Sequence, residues 1–161
     1  SLHAQGVRIS FDPNCRNLMG ADYPPLFERM TAFADVLKLS DEDLAWFGES
    51  GNPGEIAARW LAMGPKLVVL THGAAGATGY TAAIRVEVPA QPVEIVDTIG
   101  AGDAFNAGLL TALHEAGLLT KTALARLTER ELRAALDFAT KVAAVTVSRA
   151  GANPPWRPEL G

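Results

Sequence analysis

The sequence predicts an α/β protein in which a mainly parallel sheet is flanked by helices. Three observations support this prediction. Short runs of aliphatic and β-branched residues alternate along the chain with longer segments of helical period, which is typical of βαβ units. The run at 66–71, Lys-Leu-Val-Val-Leu-Thr, is nearly continuous in apolar residues, as expected of a strand that a parallel sheet buries on both faces. Two segments carry the capping pattern of a helix N-terminus, one starting at Ser40 and one at Thr128.

Turn and capping residues set the bounds of each predicted element. Asn52 and Pro53 are typical of a helix start, and the two alanines at 82–83 leave room only for a hairpin between the last two strands. The helix that begins at Gly102 is apolar almost all round, so we expect it to be buried. In chain order, the predicted elements are a strand at 6–11, a helix at 24–34, a strand at 35–39, a helix after Ser40, a helix at 53–63, strands at 66–71, 77–81 and 84–88, a helix at 102–116 and a helix from 129 to before Gly151.

Composition excludes several classes of protein. The 161 residues are 48% hydrophobic and 20% charged, which suits one globular domain rather than a disordered chain. The formal net charge of −4 offers no basic surplus for nucleic acid or an anionic membrane. A single cysteine, Cys15, rules out an internal disulfide. The uncharged stretch at 67–84 is interrupted by glycines, which favours strand and turn over a membrane span. We therefore expect a soluble, cytoplasmic protein.

The segment at 97–105, D-T-I-G-A-G-D-A-F, carries the clearest chemistry. Small residues at Gly100, Ala101 and Gly102 open a helix, where backbone N–H groups lack helical partners and the dipole is positive, so they predict an anion site. A carboxylate in the same turn, Asp103, suits a general base acting on a hydroxyl that attacks a phosphoryl group. A structural interpretation is open beside it: Asp103 complements the helix dipole and the glycines serve a tight turn.

The extended segment D-T-I-G-A-G-D-A-F-N-A-G resembles the C-terminal signature of the PfkB-type, ribokinase-like sugar kinases. Other segments resemble the same family in the same order: F-D-P-N-C-R at 11–16, L-K-L-S-D-E-D at 37–43, T-H-G-A-A-G at 71–76 and S-R-A-G-A-N-P-P at 148–155. The resemblance covers nearly the whole chain but only the second half of the family. It implies that 1–161 is the C-terminal nucleotide-binding and catalytic part of a ribokinase-like kinase, without the N-terminal half and its lid.

The resemblance implies roles for individual residues. Asp103 would be the catalytic base, and Gly100, Ala101 and Gly102 would form the anion hole for the γ-phosphate of ATP. The residues implied at the nucleotide are Asn14, Ser40, Thr71, Gly73, Gly76 and Thr140. Arg16 would lie between phosphate and substrate, although an ordinary surface arginine explains it as well. Asp12, Asn14 and Arg16 share one face if the first strand continues through them, while Cys15 faces the core.

Two kinds of cation follow from the same resemblance. Asp43 would reach a magnesium-bound water, but it is one carbon shorter than the family's glutamate, and the capping box with Ser40 explains it without a metal. A monovalent cation, such as K⁺, would be held mostly by backbone carbonyls. The residues implied for it are Asp97, Ile99, Thr146, Arg149 and Gly151. Thr140 could equally be an ordinary helix-face residue, and we assign no role to His72.

The resemblance implies phosphoryl transfer from ATP, with Mg²⁺, to a sugar hydroxyl. Fructose is the first candidate, because 37–43 and 148–155 look most like fructokinases. The sugar acid 2-keto-3-deoxygluconate is the alternative, because Arg16 could clamp its carboxylate. A second class of function is a non-catalytic nucleotide-binding half-protein. We expect this chain alone to be inactive as a kinase, with sugar and ATP as partners, and a homodimer of the complete protein is left open.

Overall fold

The computed structural model describes residues 7–15, 19–20 and 22–160. Predicted features at 1–6 and at Arg16 lie outside the described residues. The strands are β1 (Ser10–Phe11), β2 (Val36–Ser40), β3 (Leu67–Thr71), β4 (Ala77–Tyr80) and β5 (Arg85–Val88). The helices are α1 (Tyr23–Thr31), α2 (Asp41–Trp46), α3 (Pro53–Met63), α4 (Ala101–Glu115), α5 (Lys121–Leu124) and α6 (Glu129–Val147). The short helix α5 is an element that the sequence analysis missed.

The five described strands form one sheet in the order β1-β2-β3-β4-β5. The pairs β1-β2 and β2-β3 are parallel, whereas β3-β4 and β4-β5 are antiparallel. A connection as short as 72–76 cannot carry a parallel crossover, so β4 must return antiparallel to β3. The prediction of an α/β sheet flanked by helices is confirmed, and the antiparallel hairpin makes the sheet mixed.

Helices cover both faces of the sheet and enclose two apolar cores. On one face, Val36 and Val69 pack with Phe105 of α4 and Leu136 of α6. On the other face, alternate strand residues pack against α1, α2 and α3; they include Leu37, Leu39, Val68 and Leu70. Because side chains alternate along a strand, Lys38 lies on the same side of β2 as Val36 and therefore faces α4.

Two details of α4 and β1 differ from expectation. Helix α4 buries one face rather than its whole surface, since Ala107 and Thr111 are exposed. The alanines make this helix apolar in composition, but their side chains are small and can remain exposed to solvent. Strand β1 begins only at Ser10 and ends at Phe11 as predicted. Asn14 is left-handed with φ 48°, so the strand does not continue through Asp12 and Asn14, and the condition for them to share a strand face is not met.

Helix caps occur where the sequence predicts them. Ser40 and Asp43 form a reciprocal capping box at α2, and Thr128 and Glu131 form another at α6. The Asn52 side chain accepts a hydrogen bond from the Gly54 N–H at 2.8 Å at the start of α3. These bonds satisfy N–H groups that the first turn of a helix leaves unpaired. Within the described residues, no helix combines the length and apolar character needed to cross a bilayer.

The capping box of α6 predicts an acid-sensitive contribution to stability. Hydrogen bonds from the Thr128 N–H and hydroxyl hold the pKa of Glu131 below its ordinary 4.5. The Glu131 carboxylate therefore stabilises the fold fully above that value and loses its contribution as the pH falls through the lowered pKa. Urea unfolding of the parent and of Glu131→Gln at several pH values should show a difference that shrinks toward acid. Glu129→Gln removes a charge from the same turn but leaves the box intact, and an identical pH dependence for it would contradict this account.

Candidate active site

The carboxyl ends of the parallel strands bring several predicted residues to one edge of the sheet. Ser40 and Thr71 are the last residues of β2 and β3, and they are paired in register. Asn14 follows β1 and is exposed, and the glycine loop 72–76 follows β3. This edge is where open α/β sheets bind ligands. The fold therefore places the predicted nucleotide residues of three strands together.

The start of α4 is shaped by a glycine turn. Gly100 caps the helix with φ 78°, and a Cβ on it would lie 2.9 Å from the Ala152 Cβ. Both the positive φ and the close approach of the C-terminal segment require glycine there. The anion hole was predicted at Gly100, Ala101 and Gly102, but the Ala101 N–H donates to the Thr98 carbonyl at 3.2 Å. The N–H groups of Gly102 and Asp103 lie in the first turn, where a helix leaves donors without helical partners. The Asp103 side chain is exposed at the third helical position.

Asp97 ties the loop before α4 to the loop after α6. Its Oδ1 accepts from the Ile99 N–H at 2.9 Å, and its Oδ2 accepts from the Gly151 N–H at 2.8 Å. These backbone hydrogen bonds hold the pKa of Asp97 below its ordinary value. The Val147 carbonyl accepts from the N–H groups of both Val96 and Asp97, at 2.8 and 3.1 Å. The two loops that carry the 97–105 and 148–155 motifs are therefore held together.

The residues predicted to bind a monovalent cation are only partly gathered. Asp97, Ile99 and Gly151 are joined by the hydrogen bonds just described. The Thr146 hydroxyl donates to the Val142 carbonyl at 2.9 Å, and the Arg149 guanidinium pairs with Glu159. The side chains of Thr146 and Arg149 therefore have other partners. Any cation ligation by these two residues would come from their backbone carbonyls, as the resemblance implies.

His72 anchors the glycine loop, a role that the sequence analysis did not assign. Its Nδ1 lies 2.8 Å from Asp41 Oδ1 at the start of α2, and its Nε2 lies 3.2 Å from Thr78 Oγ1 on β4. Its backbone N–H donates to the Gly76 carbonyl at 2.8 Å. The loop is thus fixed at both ends. The contact with Asp41 spans 31 residues, and a histidine flanked by Thr71 and Gly73 gives no local pattern that predicts it.

Lys38 and Asp12 form an ion pair beside the start of α4. Lys38 Nζ lies 3.2 Å from Asp12 Oδ2, and the lysine side chain is 5% exposed. A Cβ added at Gly102 would lie 3.1 Å from the same Nζ, so the ammonium sits against the second residue of α4. Burial raises the pKa of Asp12, and the negative charges of Asp43 and Asp103 raise it further, whereas Lys38 lowers it.

The sequence analysis missed Lys38, although one pattern could have found it. It is the charged residue inside the buried strand V-L-K-L-S. A lysine in such a strand is rarely tolerated without a partner. The structure pairs this cation with Asp12, whose pKa is raised by the charges of Asp43 and Asp103 nearby.

Four side chains predicted to bind the nucleotide or magnesium form hydrogen bonds within the chain. They are Ser40, Asp43, Thr71 and Thr140. The buried Asp43 carboxylate accepts from the Cys15 N–H at 2.6 Å and from the Ser40 N–H and hydroxyl at 2.7 Å each. The Thr71 hydroxyl donates to the Leu39 carbonyl at 3.3 Å, and the Thr140 hydroxyl donates to the Asp137 carbonyl at 2.9 Å. The capping box of Asp43 is confirmed, and the nucleotide and magnesium roles stay predictions.

The donor set does not form a metal cage by itself. Across 7–15, 19–20 and 22–160, no three His, Cys, Asp or Glu side chains converge in a way that could hold a metal ion. Magnesium commonly keeps several waters and binds through substrate phosphates and one or two carboxylates. The site fits a Mg²⁺ that arrives with a nucleotide better than one held permanently by the protein.

An open groove of about 630 Å³ lies elsewhere, between the segment 91–93 and the outer face of α6. Its lining includes Phe138, Lys141 and Ser148. Of the segments that the sequence analysis singled out, only Ser148, the first residue of 148–155, lines it, and none of the residues given a site role does, Thr140 included. The candidate site is therefore defined by hydrogen bonds and ion pairs at the sheet edge rather than by this groove.

Comparison with known proteins gives a consistent result. A family model described as pfkB family carbohydrate kinase matches residues 1–159. A fructokinase from Rhizobium leguminosarum bv. trifolii is 50% identical over 128 residues, which cover 78% of this chain and 39% of the relative. A fructokinase from Xylella fastidiosa, solved with bound ATP, superposes with a TM-score of 0.82 at 28% identity, over 92% of this chain and 48% of that one.

A fructokinase from Vibrio cholerae, solved with fructose, ADP and a potassium ion, superposes with a TM-score of 0.70 at 29% identity. The match covers 90% of this chain and 46% of that one. The chain thus spans less than half the length of the curated relative and of both solved structures.

The glycine loop predicts two different substitution effects. Gly76 has φ 106°, and a Cβ there would lie 2.1 Å from the Val88 carbonyl oxygen, whereas Gly73 has φ 53° and open space around it. Gly76→Ala should lower the free energy of unfolding by roughly 2–5 kcal/mol, since it adds a backbone clash to the strained φ. Gly73→Ala should cost only about 1–2 kcal/mol, for the conformation alone. Urea denaturation measures both, and equal losses would contradict the loop geometry.

Proposed function

The chain belongs to the pfkB family of carbohydrate kinases, and we propose that it forms the nucleotide-binding and catalytic part of an ATP-dependent sugar kinase. The observation that carries this proposal is the start of α4. Asp103 stands exposed in its first turn, beside the buried Lys38–Asp12 pair and the ends of β2 and β3. A base, phosphate-directed N–H groups and a cation therefore meet at one edge of the sheet.

In the proposed mechanism, the exposed Asp103 carboxylate takes the proton of a sugar hydroxyl. The hydroxyl oxygen attacks the γ-phosphorus of ATP, the bond from that phosphorus to the bridging oxygen breaks, and ADP leaves with the bond's electron pair. Developing charge on the transferred phosphoryl group lies against the N–H groups at the start of α4 and against the positive end of its dipole. Bound Mg²⁺ would neutralise phosphate charge.

The relatives support the choice of sugar and nucleotide. Fructose is the proposed acceptor, because the 50%-identical relative is a fructokinase and a fructokinase with fructose bound shares this fold. ATP is the proposed donor, in line with the ATP-bound fructokinase. The alternative substrate 2-keto-3-deoxygluconate depends on Arg16, which lies outside the described residues, so no observation favours it.

A monovalent cation is proposed at the junction held by Asp97. The potassium-bound fructokinase supports this ion in a protein of the same fold. The loops that contain Ile99 and Gly151 would supply carbonyl oxygens, because the Asp97 carboxylate already brings these two loops together. The cation would then help to fix the glycine turn that precedes Asp103.

The relatives are about twice as long as this chain, so the complete activity is assigned to a longer protein. We propose that this chain alone binds nucleotide but transfers no phosphoryl group to sugar, because Asp103 is exposed in it and it matches less than half the length of its relatives. A homodimer of the complete protein stays a prediction.

Nucleotide binding can be tested on the chain as it stands. Thermal unfolding with and without a non-hydrolysable ATP analogue, Mg²⁺ and K⁺ should show stabilisation of roughly 2.7 kcal/mol at a ligand concentration about 100 times the dissociation constant. The same thermal unfolding with Mg²⁺ and K⁺ but no nucleotide controls for general effects of the salt mixture. A cooperatively folded chain with no shift would contradict the proposed nucleotide site.

Asp103→Asn separates catalysis from binding. In a complete protein that contains this segment, the substitution should lower kcat by about 10²–10⁴-fold, because a neutral amide cannot accept the hydroxyl proton. The dissociation constant for ATP should change little, since the N–H groups at the start of α4 are kept. Equal losses in kcat and in ATP affinity would make Asp103 structural, and unchanged kcat would remove it from the mechanism. Binding of ATP without transfer in the complete parent protein would favour the non-catalytic alternative.

A further inference from the structure

Lys38 is a buried cation in an unusual position. It lies in the middle of β2 at 4% exposure, and its side chain faces α4 rather than solvent. Removing an ammonium group from water is costly, so an ordinary strand position would not keep a lysine. The position therefore calls for anionic partners.

Its described partner is held loosely. Asp12 Oδ2 and Oδ1 lie 3.2 and 3.4 Å from Lys38 Nζ, longer than the roughly 2.7–2.9 Å of a strong charge-assisted hydrogen bond. An ammonium group has three hydrogens to donate, and one carboxylate at these distances does not use them well. The pair leaves donor capacity on Lys38.

A second group near the ammonium group, the start of α4, carries partial positive charge. Nζ lies 3.1 Å from where a Cβ of Gly102 would stand, in the first turn of α4. The N-terminus of a helix carries partial positive charge and favours anions, so the lysine and the helix start repel each other. Two positive groups converge on one volume, and an anion between them would relieve the repulsion.

We propose that Lys38 binds the γ-phosphoryl group of ATP during transfer, with Asp12 as its counter-ion when no nucleotide is bound; this inference rests on the proposed kinase function. Because residue 102 is a glycine, no side chain there separates the Lys38 ammonium group from phosphoryl oxygens bound at the start of α4. Lys38 also offsets the carboxylates Asp12, Asp43 and Asp103, which otherwise oppose the approach of a polyphosphate. The cation stays over the phosphoryl oxygens as their negative charge redistributes during transfer.

The competing explanation is that Lys38 only neutralises Asp12. The double substitution Asp12→Asn with Lys38→Met distinguishes the two, because it removes both charges and leaves no unpaired buried ion. Asp12→Asn alone keeps the cation, and Lys66→Met removes a lysine that is exposed. Circular dichroism melts establish that each variant folds, and the neutral double variant is expected to fold as well as the parent.

The decisive readout is the preference for a triphosphate. Calorimetry on this chain with Mg²⁺ compares a non-hydrolysable ATP analogue with ADP, which lacks the γ-phosphate. The parent, Asp12→Asn and Lys66→Met should prefer the analogue, and the double variant should lose that preference by about 10- to 100-fold while keeping its affinity for ADP.

A folded double variant that keeps the parent's preference would overturn the role of Lys38 and leave the kinase function standing. Loss of the preference in Asp12→Asn alone would assign the effect to Asp12 and overturn the proposal as well. A parent chain that binds neither nucleotide would overturn the proposed nucleotide site, and with it this inference.

Discussion

The position of the first turn of α4 is the constraint on which the rest of the site depends. This turn carries Asp103 and the N–H groups assigned to phosphate, and it must stand at the carboxyl edge of the sheet. The Asp97 carboxylate holds it there by accepting from Ile99 and Gly151 together. Gly100 completes the contact, since only a residue without a Cβ lets Ala152 pack so closely against the turn. Segments about 50 residues apart in sequence thus act as one support.

Charge is the second determinant of the site. The charges of Asp43 and Asp103 raise the cost of keeping the Asp12 carboxylate ionised, whereas the Lys38 ammonium lowers that cost. The pKa of Asp12 is raised, mainly by burial and further by the neighbouring negative charges. A surface of this kind is poorly arranged for stability alone. In the proposed mechanism, the Mg²⁺ that accompanies the nucleotide would offset the negative charge of these carboxylates.

Much of the fold follows from local sequence. The caps at Ser40, Asn52 and Thr128 and the hairpin after Tyr80 depend on a few consecutive residues, and the structure has each of them where the sequence predicts. The glycine turn before Asp103 is local in the same way. The predicted kinase roles came from the resemblance to a family, because a G-A-G-D segment alone is also compatible with a structural helix cap.

The parts that escaped prediction depend on distant partners. Lys38 meets Asp12 across 26 residues, and His72 joins Asp41 on another element. No periodicity encodes such pairs, since they arise only when parallel strands bring their ends together. The end of β1 at Phe11 was predicted, whereas the left-handed backbone of Asn14 was not.

Backbone amide shifts in an NMR titration test the central claim most directly. Titration of the isotope-labelled chain with a non-hydrolysable ATP analogue and Mg²⁺ reports on each N–H separately. The account predicts that the largest shifts fall together at Gly102, Asp103 and the loop 72–76, with smaller ones at Ile99 and Gly151. Shifts confined to the groove beside α6, with the start of α4 unchanged, would contradict it.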